Sequence, residues 1–101
     1  MGINATTTRQ RGHLRRDLLP DPREFYTSEG FHLRGAGPWV EAGKCPFHED
    51  HKPSLRVNLE TGRYHCMACS ARGDMVAFTQ QRHHLSFVEA CKRLGAWEVR
   101  P

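Results

Sequence analysis

The sequence predicts a small α+β domain, and three observations carry that prediction. Two pairs of Cys and His share one spacing, Cys45 with His48 and Cys66 with Cys69. Between them, an alternating apolar run and a Thr-Gly turn read as an antiparallel hairpin. After the second pair come two helix starts, at Asp74 and at Ser86.

Taken in order, residues 1–13 are Thr-rich and polar without periodicity, the pattern of a flexible basic arm, and the domain is expected over 14–101. Leu14, Leu18 and Leu19 fit one helical face, which Pro20 and Pro22 interrupt. A short helical turn, a break and a second turn through Phe25 and Tyr26 are expected. FHLRGAGPWVEAGKC reads as strand, Gly-rich turn, strand, ending at Cys45. A loop follows through Pro53. In SLRVNLETGRYHC, Leu55, Val57 and Leu59 alternate with Ser54, Arg56 and Asn58. Two registers stay open. A two-residue turn puts Tyr64 on the Leu59 face; a three-residue loop with Gly62 left-handed puts it outside with Arg56. Asp74 caps a helix with Met75, Val76 and Phe78 as its apolar contacts. Ser86 and Glu89 form a capping box, and Phe87, Val88, Cys91 and Leu94 supply the buried face behind it. Lys92 and Arg93 suit the helix dipole, and Gly95 ends the helix.

A chain of 101 residues with 38% apolar side chains builds one modest core. Residues 1–16 lack the apolar run of a signal peptide, and no segment approaches the roughly 20 apolar residues of a membrane helix. The expected location is therefore the cytoplasm, where thiols stay reduced and such Cys spacing points to metal rather than disulfides. Zn²⁺ takes four thiolate or imidazole ligands in a tetrahedron. Cys45-x2-His48 makes one knuckle and Cys66-x2-Cys69 the other, the spacing of a zinc ribbon with one His. Four ligands close the shell, so the expected cofactor is one structural zinc and no catalytic centre is expected in this chain. His51 reads as a loop residue. His65 points to the strand face opposite Cys66, His83 and His84 lie at a helix end, and Cys91 is a core thiol. Three thiolates, an imidazole and Zn²⁺ leave one negative charge, which Lys44, Arg63, Arg72 or knuckle N–H groups offset.

The net charge of +4 is concentrated at one end. Arg9, Arg11, Arg15 and Arg16 fall in the first sixteen residues with no acid among them, and the rest of the chain carries 11 basic and 11 acidic side chains. A basic tail attracts phosphates, and it equally serves as a solvated arm.

From Cys45 to Gly95 the chain resembles the zinc-binding domain of bacterial and phage replicative DNA primases. The resemblance rests on CPFH (45–48), HKPS (51–54), YHCMAC (64–69), GDMVAF (73–78) and SFVEA (86–90), in that order. It implies a zinc ribbon, a small antiparallel β-sheet with flanking helices, ligated by Cys45, His48, Cys66 and Cys69. It implies binding of single-stranded template DNA for primer synthesis, in a bacterial or phage-infected cell, with nucleotide joining in a separate chain. A polymerase, primase or helicase is the implied protein partner, and no membrane is involved. Met67 and Ser70 depart from the family, which usually has an aromatic and a Gly at those places.

Single-strand binding needs cations along a groove and flat rings for bases. Arg34, Trp39, Lys44, Lys52, Arg56, Arg63, Tyr64 and Arg72 are the candidates, with Tyr64 a core residue if it points inward. The alternative is an adaptor that keeps the ribbon and binds protein instead.

Overall fold

The computed structural model describes residues 11–49 and 52–99. Arg9 and His51 lie outside those residues. The described chain forms two antiparallel sheets, three α-helices and one 3₁₀ turn.

The main sheet has four strands in sequential order: β2 (Trp39–Gly43), β3 (Leu55–Asn58), β4 (Tyr64–Cys66) and β5 (Arg72–Gly73). Val40 and Ala42, Leu55 and Val57, and Tyr64 and Cys66 point to the core, as the period of two requires. The hairpin uses neither loop length that the sequence left open. Val57 lies opposite Tyr64, Asn58 closes on Arg63, and four residues, 59–62, form the loop. The Asn58 side-chain oxygen accepts from the N–H groups of Glu60 and Thr61, and Gly62 takes the left-handed φ of 83°. Tyr64 therefore faces inward at 2% exposure, the core alternative.

The core is aromatic. Phe78, 0% exposed, meets Phe25, Tyr26, Phe31, Phe47 and Tyr64 at ring-centroid distances of 5.1–5.8 Å, mostly edge to face. Phe78 comes from α2 (Met75–His83), capped by the Asp74 carboxylate on the Ala77 N–H. Phe25 and Tyr26 come from α1 (Pro22–Ser28). The prolines that interrupt one helical pattern begin this helix. Asp21 accepts from the Glu24 N–H, and Pro22 stands at a first-turn position where no N–H is needed.

Three expectations need correction. Leu14 is not on a helix: β1 (Gly12–Leu14) pairs antiparallel with β6 (Trp97–Val99). Gly12 and His13, read as part of the arm, are thus strand residues, and only the 3₁₀ turn Arg16–Leu18 remains of the first helical pattern. Phe87 is 46% exposed rather than buried. It opens α3 (Phe87–Arg93), whose capping box is formed as expected, and its ring leans on Trp97 while Ala90 and Cys91 take the buried positions.

Candidate metal centre

Cys45 follows β2, Cys66 ends β4, and each begins a tight turn. At the second turn, the Ser70 N–H bonds to the Cys66 carbonyl and the Cys66 N–H to the Ala71 carbonyl. Closing that turn places Ser70 at φ 66°, the left-handed region, which accounts for a position where glycine is the natural residue.

The two turns bring Cys45, His48, Cys66 and Cys69 together, their ligand atoms all within 4.8 Å of one another. A tetrahedral zinc with bonds of about 2.3 Å to sulfur and 2.0–2.1 Å to nitrogen separates two sulfurs by about 3.8 Å and a sulfur and nitrogen by about 3.6 Å. Cys45 Sγ and Cys69 Sγ are 3.9 Å apart, and His48 Nε2 and Cys66 Sγ are 3.3 Å apart. The donor set and its spacing fit one Zn²⁺.

The surroundings fit as well. His48 Nδ1 lies 2.9 Å from the Glu49 carbonyl oxygen, so Nδ1–H donates there and Nε2 is left with its lone pair toward the cluster. The N–H of Phe47 donates to Cys45 Sγ, and the N–H groups of Ala68 and Cys69 donate to Cys66 Sγ, each at 3.4 Å. These backbone dipoles offset the excess negative charge, while Lys44, Arg63 and Arg72 stand exposed to solvent. Burial pushes the Cys66 thiol up. Hydrogen bonds from the Ser54 hydroxyl and from the Cys69 and Ala68 N–H groups outweigh it and bring the thiol down to about 6. Burial pushes Cys45 up to about 12, helped by the neighbouring Cys66 and Cys69 sulfurs against the Phe47 N–H. The surroundings therefore favour the thiolate at Cys66 and the thiol at Cys45, and a metal that binds here releases thiol protons.

Ser54 is a site residue that sequence reasoning passed over. Its N–H bonds to the Gly43 carbonyl, its carbonyl accepts from the Met67 N–H, and its hydroxyl lies 3.3 Å from Cys66 Sγ. One residue so ties the strand entering the first knuckle to the turn of the second. Its only sequence signal was its place in the HKPS motif. Cys91 is buried away from the cluster, against Val76 and Ala90, and burial raises its thiol pKa. His83 is held by Glu29, with Nε2 3.1 Å from the carboxylate.

The other candidates divide by sheet face. Arg34 bridges Glu41, Glu41 pairs with Arg56, Arg56 with His65, and His65 with Arg72. These five residues form one transverse row on the solvent face. Trp39 lies on the same face of β2 as Glu41 and is 40% exposed. Lys44, Lys52 and Arg63 are exposed beside the sheet rather than in the row. Tyr64 is on the opposite face, its ring against Phe47 and Phe78.

Among the described residues, no helix is long and apolar enough to cross a membrane. Comparison with known proteins adds the family. The model of the CHC2 zinc finger, the zinc ribbon of DnaG-type primases, matches residues 30–98. The DNA primase of Deinococcus radiodurans is 46% identical over 63 residues, covering 62% of this chain and 11% of that protein. The DNA primase of Streptomyces coelicolor is 40% identical over 74 residues, covering 73% and 12%. A crystal structure of the Aquifex aeolicus primase, with its zinc-binding and RNA polymerase domains, superposes with a TM-score of 0.64 at 28% identity, over 83% of this chain and 22% of that one. The chain therefore spans about a tenth of the length of the curated relatives it matches. On the strength of its ligand quartet, its ribbon and the match over residues 30–98, the chain belongs to the CHC2 zinc-finger family of DnaG-type primases.

Proposed function

We propose that this zinc ribbon binds single-stranded template DNA on the exposed face of its four-stranded sheet. It serves primer synthesis in the bacterial cytoplasm beside a polymerase or helicase partner, and nucleotide joining is the work of a separate catalytic unit.

The observation that carries this reading is the transverse row. Arg34, Arg56 and Arg72 occupy directly paired positions, separated by Glu41 and His65. At about 4.8 Å between strands, five positions span roughly 19 Å. That is a track of cations rather than a single contact, with Trp39 at its side as a surface for stacking. Zinc contributes rigidity. Its binding energy, on the order of 10–16 kcal/mol in zinc-finger peptides, is folding energy and holds the strands in register. Cys45, His48, Cys66 and Cys69 would hold the zinc, which would supply a structural clamp; Ser54 and the knuckle N–H groups fix the sulfurs, and the arginines meet phosphates on the opposite face of the sheet.

Anisotropy of a labelled single-stranded oligonucleotide, titrated across salt, tests the reading. Three phosphate contacts predict a slope of log affinity against log salt of about −2, at roughly −0.7 per contact on single strands. Arg56→Ala should reduce that slope by about 0.7 and weaken binding to all sequences alike. Binding that ignores salt, or an Arg56→Ala protein that binds as well as the parent, refutes it. No binding at low salt together with a stably co-purifying protein supports the adaptor instead.

A further inference from the structure

One residue in the row does not belong on a phosphate track. Glu41 stands between Arg34 and Arg56, directly paired with each through the backbone. Its carboxylate is exposed, yet it makes no ion pair or side-chain hydrogen bond among the described residues, and neither do the two arginines. A carboxylate there repels phosphate, so on a DNA-binding face it must meet something else. It lines an open concavity of about 560 Å³ together with Arg34, Gly35, Ala36, Val40 and Arg56. That volume is within the roughly 300–1,000 Å³ usual for small-ligand sites. Trp39 is two residues away on the same strand face, about 7 Å along the strand.

We propose that Glu41 is a base-specificity residue, reading the hydrogen-bonding edge of one unstacked base that lies on Trp39, with Arg34 and Arg56 holding the flanking phosphates. This rests on the single-strand reading given above. The chemistry selects the base. An ionised carboxylate only accepts hydrogen bonds. In a single strand the Watson–Crick edge is open to it. Guanine offers two adjacent donors there, N1–H and the N2 amino group, matching both carboxylate oxygens. Cytosine and adenine offer one amino group each. Thymine sets its single N3–H between two carbonyl oxygens that repel the carboxylate. The site therefore favours guanine and disfavours thymine.

The test compares the heptamers T3GT3 and T7 by anisotropy at low salt, using the full chain loaded with zinc. The parent protein should bind T3GT3 about fivefold or more tightly, the low end expected for a bidentate base contact. Glu41→Ala and Glu41→Gln should both lower that preference below about twofold, and Glu41→Ala should bind T7 more tightly than the parent, because a repulsive charge is gone. Zinc content and melting temperature check that both variants fold. A parent that binds both heptamers alike overturns this assignment and leaves the single-strand reading standing. So does a preference that survives both substitutions, in which case Glu41 is an ordinary cross-strand charge. A parent that binds neither heptamer overturns the single-strand reading and this inference with it.

Discussion

Removing one oxygen atom from Tyr26 should measurably loosen the fold without touching the metal. The Tyr26 side chain is fully buried, and its hydroxyl donates to the Gly62 carbonyl at 2.7 Å. Gly62 is also buried and closes the hairpin loop, its N–H bonded to the Asn58 carbonyl. The bond so joins α1 to the turn that sets the sheet register. Tyr26→Phe keeps the ring, which packs edge to face on Phe25 and Phe78, and strips only the donor. A buried carbonyl then loses its partner, which costs about 1–3 kcal/mol. For a domain of this size each kcal/mol is worth roughly 4–8 °C, so the melting temperature should fall by about 4–24 °C. A water entering the vacated space would recover part of the loss and place the result near the lower end. Thermal unfolding followed by circular dichroism, with free zinc held constant, measures it, since bound metal adds its own stabilisation. Zinc content should stay at one per chain, because the hydroxyl removed bonds the Gly62 carbonyl and not a ligand. A melting temperature within about 2 °C of the parent would show that the bond contributes nothing and that α1 is not coupled to the hairpin.

The other expectations concern the metal centre and its turns. Cys66→Ser should lower zinc content and melting temperature together; a one-to-one zinc stoichiometry in that variant refutes the ligand assignment. Cys91→Ala should keep its zinc and lose about 1–2 kcal/mol by chemical denaturation, since it empties part of a fully buried site. Ser70→Gly should raise stability by roughly 0.5–1 kcal/mol, relief of left-handed strain exceeding the added freedom of the unfolded chain; a destabilised variant would mean that the Ser70 side chain supports the knuckle. Acid should release zinc. The Cys66 thiol is depressed in the fold, so its contribution is present above the ordinary thiol range and lost as pH falls through about 6. Competition with a chromogenic chelator should then show retention above pH 7 and progressive loss below pH 6, and retention unchanged down to about pH 4 would contradict it.

What the sequence disclosed and what it withheld follow from the range of the interactions. The four ligands were legible because a knuckle is a local turn, and two residues between ligands is a local distance. The helix caps at Asp74 and Ser86 were legible for the same reason. The pairing of β1 with β6 was not, since Gly12 and Val99 are at opposite ends of the described chain and nothing near either names the other. Phe87 misled because helical spacing marks a face but not which neighbour covers it; Trp97 meets its ring at near right angles and leaves it 46% exposed.

The hairpin register decides more than the placement of one tyrosine. Because side chains alternate, a slip of one residue would exchange the two faces of β4 relative to β3. With Val57 opposite Tyr64, the tyrosine joins Phe47 and Phe78 in the core, and Cys66 comes level with Leu55 on the metal side. The same register puts His65 beside Arg56 and Arg72 beside His65 on the outer face. The outward pairing of Arg56 with Tyr64 that one loop length allowed is therefore replaced by a row of charge. Asn58, whose side chain caps the loop, sets this register, and the ligand Cys66, opposite Leu55, lies at the far end of the hairpin. Metal, core and candidate DNA surface are three consequences of one alignment. Loss of the ion should thus weaken the arginine row even though none of its members binds zinc.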